Sequence, residues 1–356
     1  MTIIFIIILI GFALFSGSAV TVALFILFVA VYIQLPGLLL ILQLRGSKVV
    51  NSEIVLQSFF FGMGISILEF FIFSAISFRL LYILFSPALI IGLSWKLFVK
   101  ERIKLRSGEE MVCELQLLAT FAVCFILACI NQHYAFSNIH DYAAVYLYQD
   151  MPWHIGNVAM LSHGVPFLDI RFAGLNFNYH YFNDLIFAMC KHCFRLDAWE
   201  LMMKCTPLLT AYTISLGLHA LFKRYIRKPL IGVLLFMLCG AADTFYILNT
   251  DKHSFLLNYH IFSNINGVAV SLAAVISVYL FYTYIYDDNT VRRKDLLILT
   301  ILVFVMTGLK GPFAVVLIAA MLFTGAVRVI EDHNLNRLLL VSLAEGGSFL
   351  VMSIPA

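Results

Sequence analysis

Asp150 and His154 stand four residues apart, which places both on one face of a helix. A carboxylate and an imidazole at that spacing admit three kinds of chemistry. They can act as a general base with its orienting or substrate-binding partner. They can supply two ligands to a divalent metal, although no compact third and fourth ligand accompanies them. Or Asp150 can simply cap a helix that starts near Pro152, a residue suited to a first helical turn. The cap and the catalytic role are compatible with each other.

Other residues of the same kind lie nearby. Tyr179-His180-Tyr181 follows the turn Gly174-Leu-Asn-Phe-Asn178. Aromatic faces stack on the C–H faces of a sugar, and ring N–H groups bond its hydroxyls. The same residue types also suit a bilayer interface. Lys310 sits in Gly308-Leu-Lys-Gly-Pro312, a tight turn between two apolar runs. There it can snorkel or hold a phosphate as a point charge. Lys252 and His253 offer a second cationic group, with His260 in the same loop and Arg171 in the longer one. Eight of the ten histidines fall in just two segments, 131–205 and 249–267. Cys190-Lys-His-Cys193 has the spacing of a redox or metal motif. It lacks a second Cys pair and a βαβ context, so a disulfide or two free thiols on an amphipathic helix is the simpler reading.

The elements that position these residues are helices in lipid. The chain of 356 residues is 62% hydrophobic and 12% charged, with a mean hydropathy of +0.96. Soluble domains carry about a quarter charged residues. The composition therefore gives an integral membrane protein, all-α, a polytopic transmembrane helical bundle, with the bilayer as its partner. A span needs roughly 20 apolar residues, and its backbone must be satisfied internally. Continuous rather than alternating runs exclude a β-barrel. Apolar runs lie near 3–44, 54–76, 79–98, 114–130, 206–222, 228–248, 268–286, 296–309, 312–329 and 338–354. The first is too long for one helix. Gly11 and Ser16-Gly-Ser18 are candidate dividers, and Pro36-Gly37 marks a bend or an end. Dividing that run gives about eleven spans (roughly 10–11) of this length. The whole, 1–356, reads as one membrane domain. It stops at Ser353-Ile-Pro-Ala356, the ending expected of a truncated relative of a longer protein.

Between the spans lies one long polar segment, 131–205, read as a helical loop region. Residues 143–163 carry helical spacing around Asp150, Trp153 and His154. Gly164-Val-Pro166 breaks that helix, and Asp169 to Asn178 reads as extended or turn structure. From Tyr181 to Leu196 the apolar positions Phe182, Leu185, Ile186, Met189 and Cys193 share one face. That pattern fits a helix lying in the interface or a short re-entrant one.

Basic residues fix an orientation. With loops numbered alternately, 16 of the 23 Lys and Arg fall in one set, among them Arg45, Lys48, Lys96, Lys100, Lys223, Arg224, Arg292 and Lys294. The positive-inside rule puts that set in the cytoplasm and the segment 131–205 outside. The net charge of +3 carries no further message, and no basic patch suggests nucleic acid.

Asp150-x-x-x-His154, Gly164-x-Pro166 and Tyr179-His-Tyr181 together resemble the first large outer loop of GT-C glycosyltransferases, integral membrane enzymes that use polyprenyl-phosphate-linked sugars. The likeness covers roughly residues 30–225, and upstream Gln34-Leu-Pro-Gly37 and Phe61-Gly-Met-Gly64 resemble the start of many bacterial polytopic envelope proteins. It implies a bacterial plasma-membrane enzyme with an extracytoplasmic active site. It implies a polyprenyl-phosphate sugar as donor, a cell-envelope glycan or lipid as acceptor, and Asp150 as catalytic base. His154, Tyr179, His180, Tyr181, Arg171, Lys252, His253, His260 and Lys310 then bind substrate; no cofactor is fixed by the likeness, and a divalent metal stays open as an alternative. The chain departs from the family in two ways. Its acidic loop follows about five spans rather than the first, and no adjacent Asp-Asp or Asp-Glu pair is present.

Three other classes compete. A transporter or flippase for a lipid-linked glycan needs ionisable groups inside the spans, and Glu69 and Glu114 are the few on offer. An envelope polysaccharide polymerase or ligase shares the outer site but depends on outer Arg and His rather than Asp150. A structural assembly protein needs no site at all.

Overall fold

The computed structural model describes residues 11–12, 17–101, 104–108, 111–132, 150–170, 175, 181–226, 228–241, 267–287, 292–332, 342 and 346. Almost all of these are helical. In chain order the helices are α1 (Ala19–Arg45), α2 (Ser52–Ala75), α3 (Arg79–Lys100), α4 (Met111–Asn131), α5 (Met151–Leu161), α6 (Phe182–Phe194), α7 (Ala198–Tyr225), α8 (Pro229–Ala241), α9 (Val268–Asp287), α10 (Arg293–Leu309) and α11 (Gly311–Asp332). A two-residue parallel ladder, β1 (Val49–Val50) with β2 (Arg106–Ser107), ties together the two connections α1–α2 and α3–α4.

Six of these helices, α1, α2, α3, α4, α7 and α9, are long and apolar enough to cross a bilayer. The chain is thus an all-α polytopic protein suited to lipid. Expected runs match these six in place, as 79–98 became Arg79–Lys100 and 268–286 became Val268–Asp287, but among the described residues six helices, not about eleven, have the length and composition of a span. The run near 338–354 lies outside the described residues. Two helices make the centre. The most apolar stretch of α7 is 83% buried and that of α2 78%, against 17% for α3 and 22% for α4. The last two therefore turn most of their surface outward, the expected state of helices facing lipid tails.

The long first run divides as the sequence suggested at Ser16-Gly-Ser18. Gly17 takes φ +71°, a left-handed value that favours glycine. It does not end at Pro36-Gly37. The helix continues to Arg45, and the irregularity falls one turn earlier, where Val29–Gln34 forms a π segment. A proline ring clashes with the carbonyl four residues back, and a π-bulge is one of the few ways a helix accommodates such a disturbance. Gly37 serves a different end. A Cβ there would stand 2.0 Å from the Ser58 carbonyl oxygen, so α1 and α2 touch backbone to backbone at Gly37, Ser58 and Gly62. Small residues four apart are how membrane helices approach closely.

Helix starts show which side chains are committed to structure. Asn51 accepts the Ile54 N–H at 2.8 Å and caps α2. Asp197 accepts the Glu200 N–H at 2.9 Å and caps α7. Replacing Asp197 by Ala should cost about 1 kcal/mol, read as a lower melting temperature of the detergent-solubilised protein.

The two ends of the bundle differ in chemistry. At one end Arg45 bonds Gln57 at 2.8 Å and stacks 4.0 Å over the Tyr284 ring, and Arg224 lies 3.9 Å from Glu53. Arg292 closes on Asp295 at 2.8 Å beside Arg293 and Lys294. The opposite end, where α2 and α10 finish and α3, α7 and α9 begin, receives α5 and α6. The cations named at the first end belong to the set that the sequence pattern grouped on one side.

Candidate functional site

Helix α6 is the element that builds the site, and it is not an interfacial helix. Phe182 to Cys190 are all buried, as the helix lies among α1, α2, α5, α7 and α10. The apolar stripe predicted an exposed opposite face. That side instead carries Asn183, Asp184, Phe187 and Ala188, and all four are buried.

Its N-terminus is clamped by close packing. The Phe182 ring lies on Gly308, where a Cβ would come within 2.3 Å of it, and meets Phe304 edge-on at 5.1 Å between centroids. Asn183 lies on Gly267, the residue before α9. Its C-terminus is held by charge. The Arg79 guanidinium donates to the Cys193 carbonyl at 2.9 Å, which suits a cation at a helix C-terminus.

Helix α5 runs parallel to α6. His192 on α6 donates from Nδ1 to the Ser162 carbonyl at 2.8 Å. Eight residues earlier on each helix, His154 meets Asp184. The His154 Nδ1–H lies 2.8 Å from Asp184 Oδ2 and 3.0 Å from Oδ1. Asn157 Nδ2 donates to Asp184 Oδ2 at 3.1 Å. His154 and Asp184 are only 3% and 1% exposed. A buried carboxylate persists when paired and hydrogen-bonded, and position three of α6 also places it in the favourable first turn of a helix.

Asp150 lies at the start of α5, partly buried. Its side chain makes no capping hydrogen bond. Two causes are visible. Its backbone is already helical, at φ −80° and ψ −14°, whereas Asn51 and Asp197 are extended. Pro152 in the first turn also lacks one of the N–H groups that a cap would bind. Nor does Asp150 pair with His154 through its side chain, as the four-residue spacing suggested. It gives His154 only its main-chain carbonyl, at 3.0 Å from the His154 N–H.

Lys310 closes the group. It ends α10 in an extended conformation, and the carboxylates of Asp184 and Asp150 both act on it. Burial draws its pKa below the ordinary lysine value, and the two carboxylates oppose that fall. Two parallel helix N-termini, two carboxylates and one ammonium therefore share one neighbourhood.

Of the other expected site residues, Tyr181 is described: its ring is buried edge-on against Phe167 and Phe182. Arg171, Tyr179, His180, Lys252, His253 and His260 lie outside the described residues. Cys190 and Cys193 are free, buried thiols. Among the described residues, no group of three or more His, Cys, Asp or Glu is arranged to hold a metal.

Sequence reasoning missed Asp184, Asn157 and Lys204. Asp184 carried a signal, as the one charged residue between Phe182 and Cys190 in a largely apolar helix. Asn157 also carried one, three residues from His154 and so on the same face. Lys204 sits well inside α7 and is 2% exposed, so the ionisable groups within the spans are not confined to Glu69 and Glu114. Glu69 is itself buried, accepting from Ser86 at 2.8 Å, whereas Glu114 lies in the first turn of α4 with Ser107 at 3.3 Å. Compared with known proteins, the chain matches no family model, no curated protein and no solved structure.

Proposed function

We propose that the protein is a membrane glycosyltransferase of GT-C type, moving a sugar from a polyprenyl-phosphate donor to a cell-envelope glycan or lipid acceptor. One observation carries this reading. The Asp150 carboxyl is spent on no helix cap, yet it lies within electrostatic reach of Lys310. A carboxylate not used as a helix cap, beside an ammonium, is the pairing that such a displacement needs. With the basic end of the bundle in the cytoplasm, the site faces the far side. Activated nucleotide sugars are absent there, so the donor must be carried by lipid.

In this mechanism Asp150 takes the proton of the acceptor hydroxyl as that oxygen attacks the anomeric carbon. The bond from that carbon to the lipid phosphate breaks, and the phosphate leaves with the electron pair. Lys310 balances its charge, helped by the N-termini of α5 and α6. One direct displacement inverts the anomeric centre.

The test is transfer by the purified protein in nanodiscs, with polyprenyl-phosphate hexoses and pentoses as donors. Product with inverted configuration is the expected result. Absence of transfer from every donor, or retained configuration, would overturn the reading. Lys310→Met should lower kcat/KM for the donor about 10- to 100-fold, the scale of a lost charge-assisted hydrogen bond. Lys310→Arg should recover part of it, because the charge remains while the geometry changes.

A further inference from the structure

We infer that Asp184 is a positioning residue for His154: it holds the ring with Nδ1–H turned inward, so that Nε2 is the atom offered to the substrate. The role in transfer rests on the function proposed above; the state of the ring does not.

An ionised carboxylate only accepts hydrogen bonds. The ring nitrogen facing Asp184, at 2.8 and 3.0 Å from its two oxygens, must therefore carry a proton. A neutral His154 is then the Nδ1–H tautomer, with its lone pair on Nε2. Which nitrogen a histidine presents is set by the bond that the other one makes. Asn157 makes the carboxylate's own orientation single-valued. Its amide must turn Nδ2 toward Asp184, since its oxygen would meet another acceptor.

Two features separate this cluster from a buried polar network that serves packing alone. Most buried side-chain polar atoms in a structural network have a partner. Here Asn157 Oδ1 is buried without a hydrogen-bond partner among the described residues. Both bonds from the His154 ring to Asp184 use Nδ1, leaving Nε2 uncommitted to that pair. The orphan Asn157 Oδ1 suits a ligand that brings a hydroxyl donor, and Nε2 is the ring atom left for a second one. Asp150 and Lys310, the groups assigned to chemistry, are the charged neighbours of the same cluster.

The experiment is ¹⁵N NMR of histidine-labelled protein in nanodiscs, with the His154 signal identified as the one lost in His154→Gln. At a pH where the ring is neutral, wild type should show a protonated Nδ1 and a bare Nε2. In Asp184→Asn the amide can instead donate to Nδ1, so the proton should move to Nε2. A wild-type ring with a bare Nδ1 would overturn the inference even if Asp184→Asn fails to fold. In the transfer assay Asp184→Asn should lower kcat by about 10³-fold or more, the scale seen when a His–carboxylate pair is locked in the wrong tautomer. The KM should stay near wild type. A variant that switches tautomer but keeps its kcat would refute the positioning role. Loss of all transfer in wild type would instead count against the proposed function and leave the tautomer result standing.

Discussion

Asp150→Asn should abolish sugar transfer while the protein still folds and inserts. The carboxylate is the proton acceptor in the proposed displacement. General-base contributions run to about 10²–10⁴-fold, and the amide has no basic oxygen to replace it. Stability should not follow activity down, because the Asp150 side chain caps nothing. The substitution is isosteric, and the residue is partly rather than fully buried. The buried partner set behaves oppositely. His154→Ala would strip the main donor from the Asp184 carboxylate and should cost about 3–5 kcal/mol, the scale for breaking a buried pair. Two measurements on each variant are sufficient: initial rate with the lipid-linked donor, and melting temperature in the same detergent. Asp150→Asn should lose the first and keep the second, and His154→Ala should lose both. Normal turnover by Asp150→Asn would sink the assignment of the base and favour a polymerase or ligase that depends on other outer residues.

What could be read from the sequence was what composition alone determines. A run of apolar residues long enough to span is visible without any partner, so α3 and α9 fell within two residues of their expected ends. The divider at Gly17 was also local, because the backbone conformation is carried by the glycine itself. The site was harder, because its groups come together only through packing. The stripe along α6 correctly gave a helix, but a stripe says which face is apolar and not what covers the other face. Asp184 drew no attention in the sequence, because its partner His154 reaches it only once α5 is laid along α6. The four-residue spacing of Asp150 and His154 was real, yet His154 found a stronger partner 30 positions away, at 2.8 Å. Lys310 was picked out by its turn alone. Its two acidic neighbours come from the starts of α5 and α6, a meeting that no spacing in one chain segment encodes.

Gly62→Ala should damage the fold more than any other single methyl added to a described glycine. A Cβ at this position would stand 1.9 Å from the Ile33 carbonyl oxygen and 2.9 Å from its carbon. Both are main-chain atoms of α1, so no rotamer change can relieve the contact, and the helices must part. Overpacked cores lose typically 1–3 kcal/mol, occasionally more. The upper end applies here, because in lipid the association of helices depends on this close approach rather than on a hydrophobic driving force. Gly92→Ala on α3 is the matched control. Nothing lies within 4 Å of a Cβ there, and alanine favours a helix over glycine by roughly 1 kcal/mol. Melting temperature should therefore fall sharply for Gly62→Ala and hold or rise for Gly92→Ala. The effect should also reach the site. Phe25 of α1 stacks on Phe187 of α6 at 5.3 Å between ring centroids, so a displaced α1 removes one wall of the helix that carries Asp184. If the two variants melted alike, the backbone contact between α1 and α2 would not be what holds the bundle at this point. If Gly62→Ala lost stability but kept full activity, α6 would be held in place without the α1 wall, by neighbours that include α5, α7 and α10.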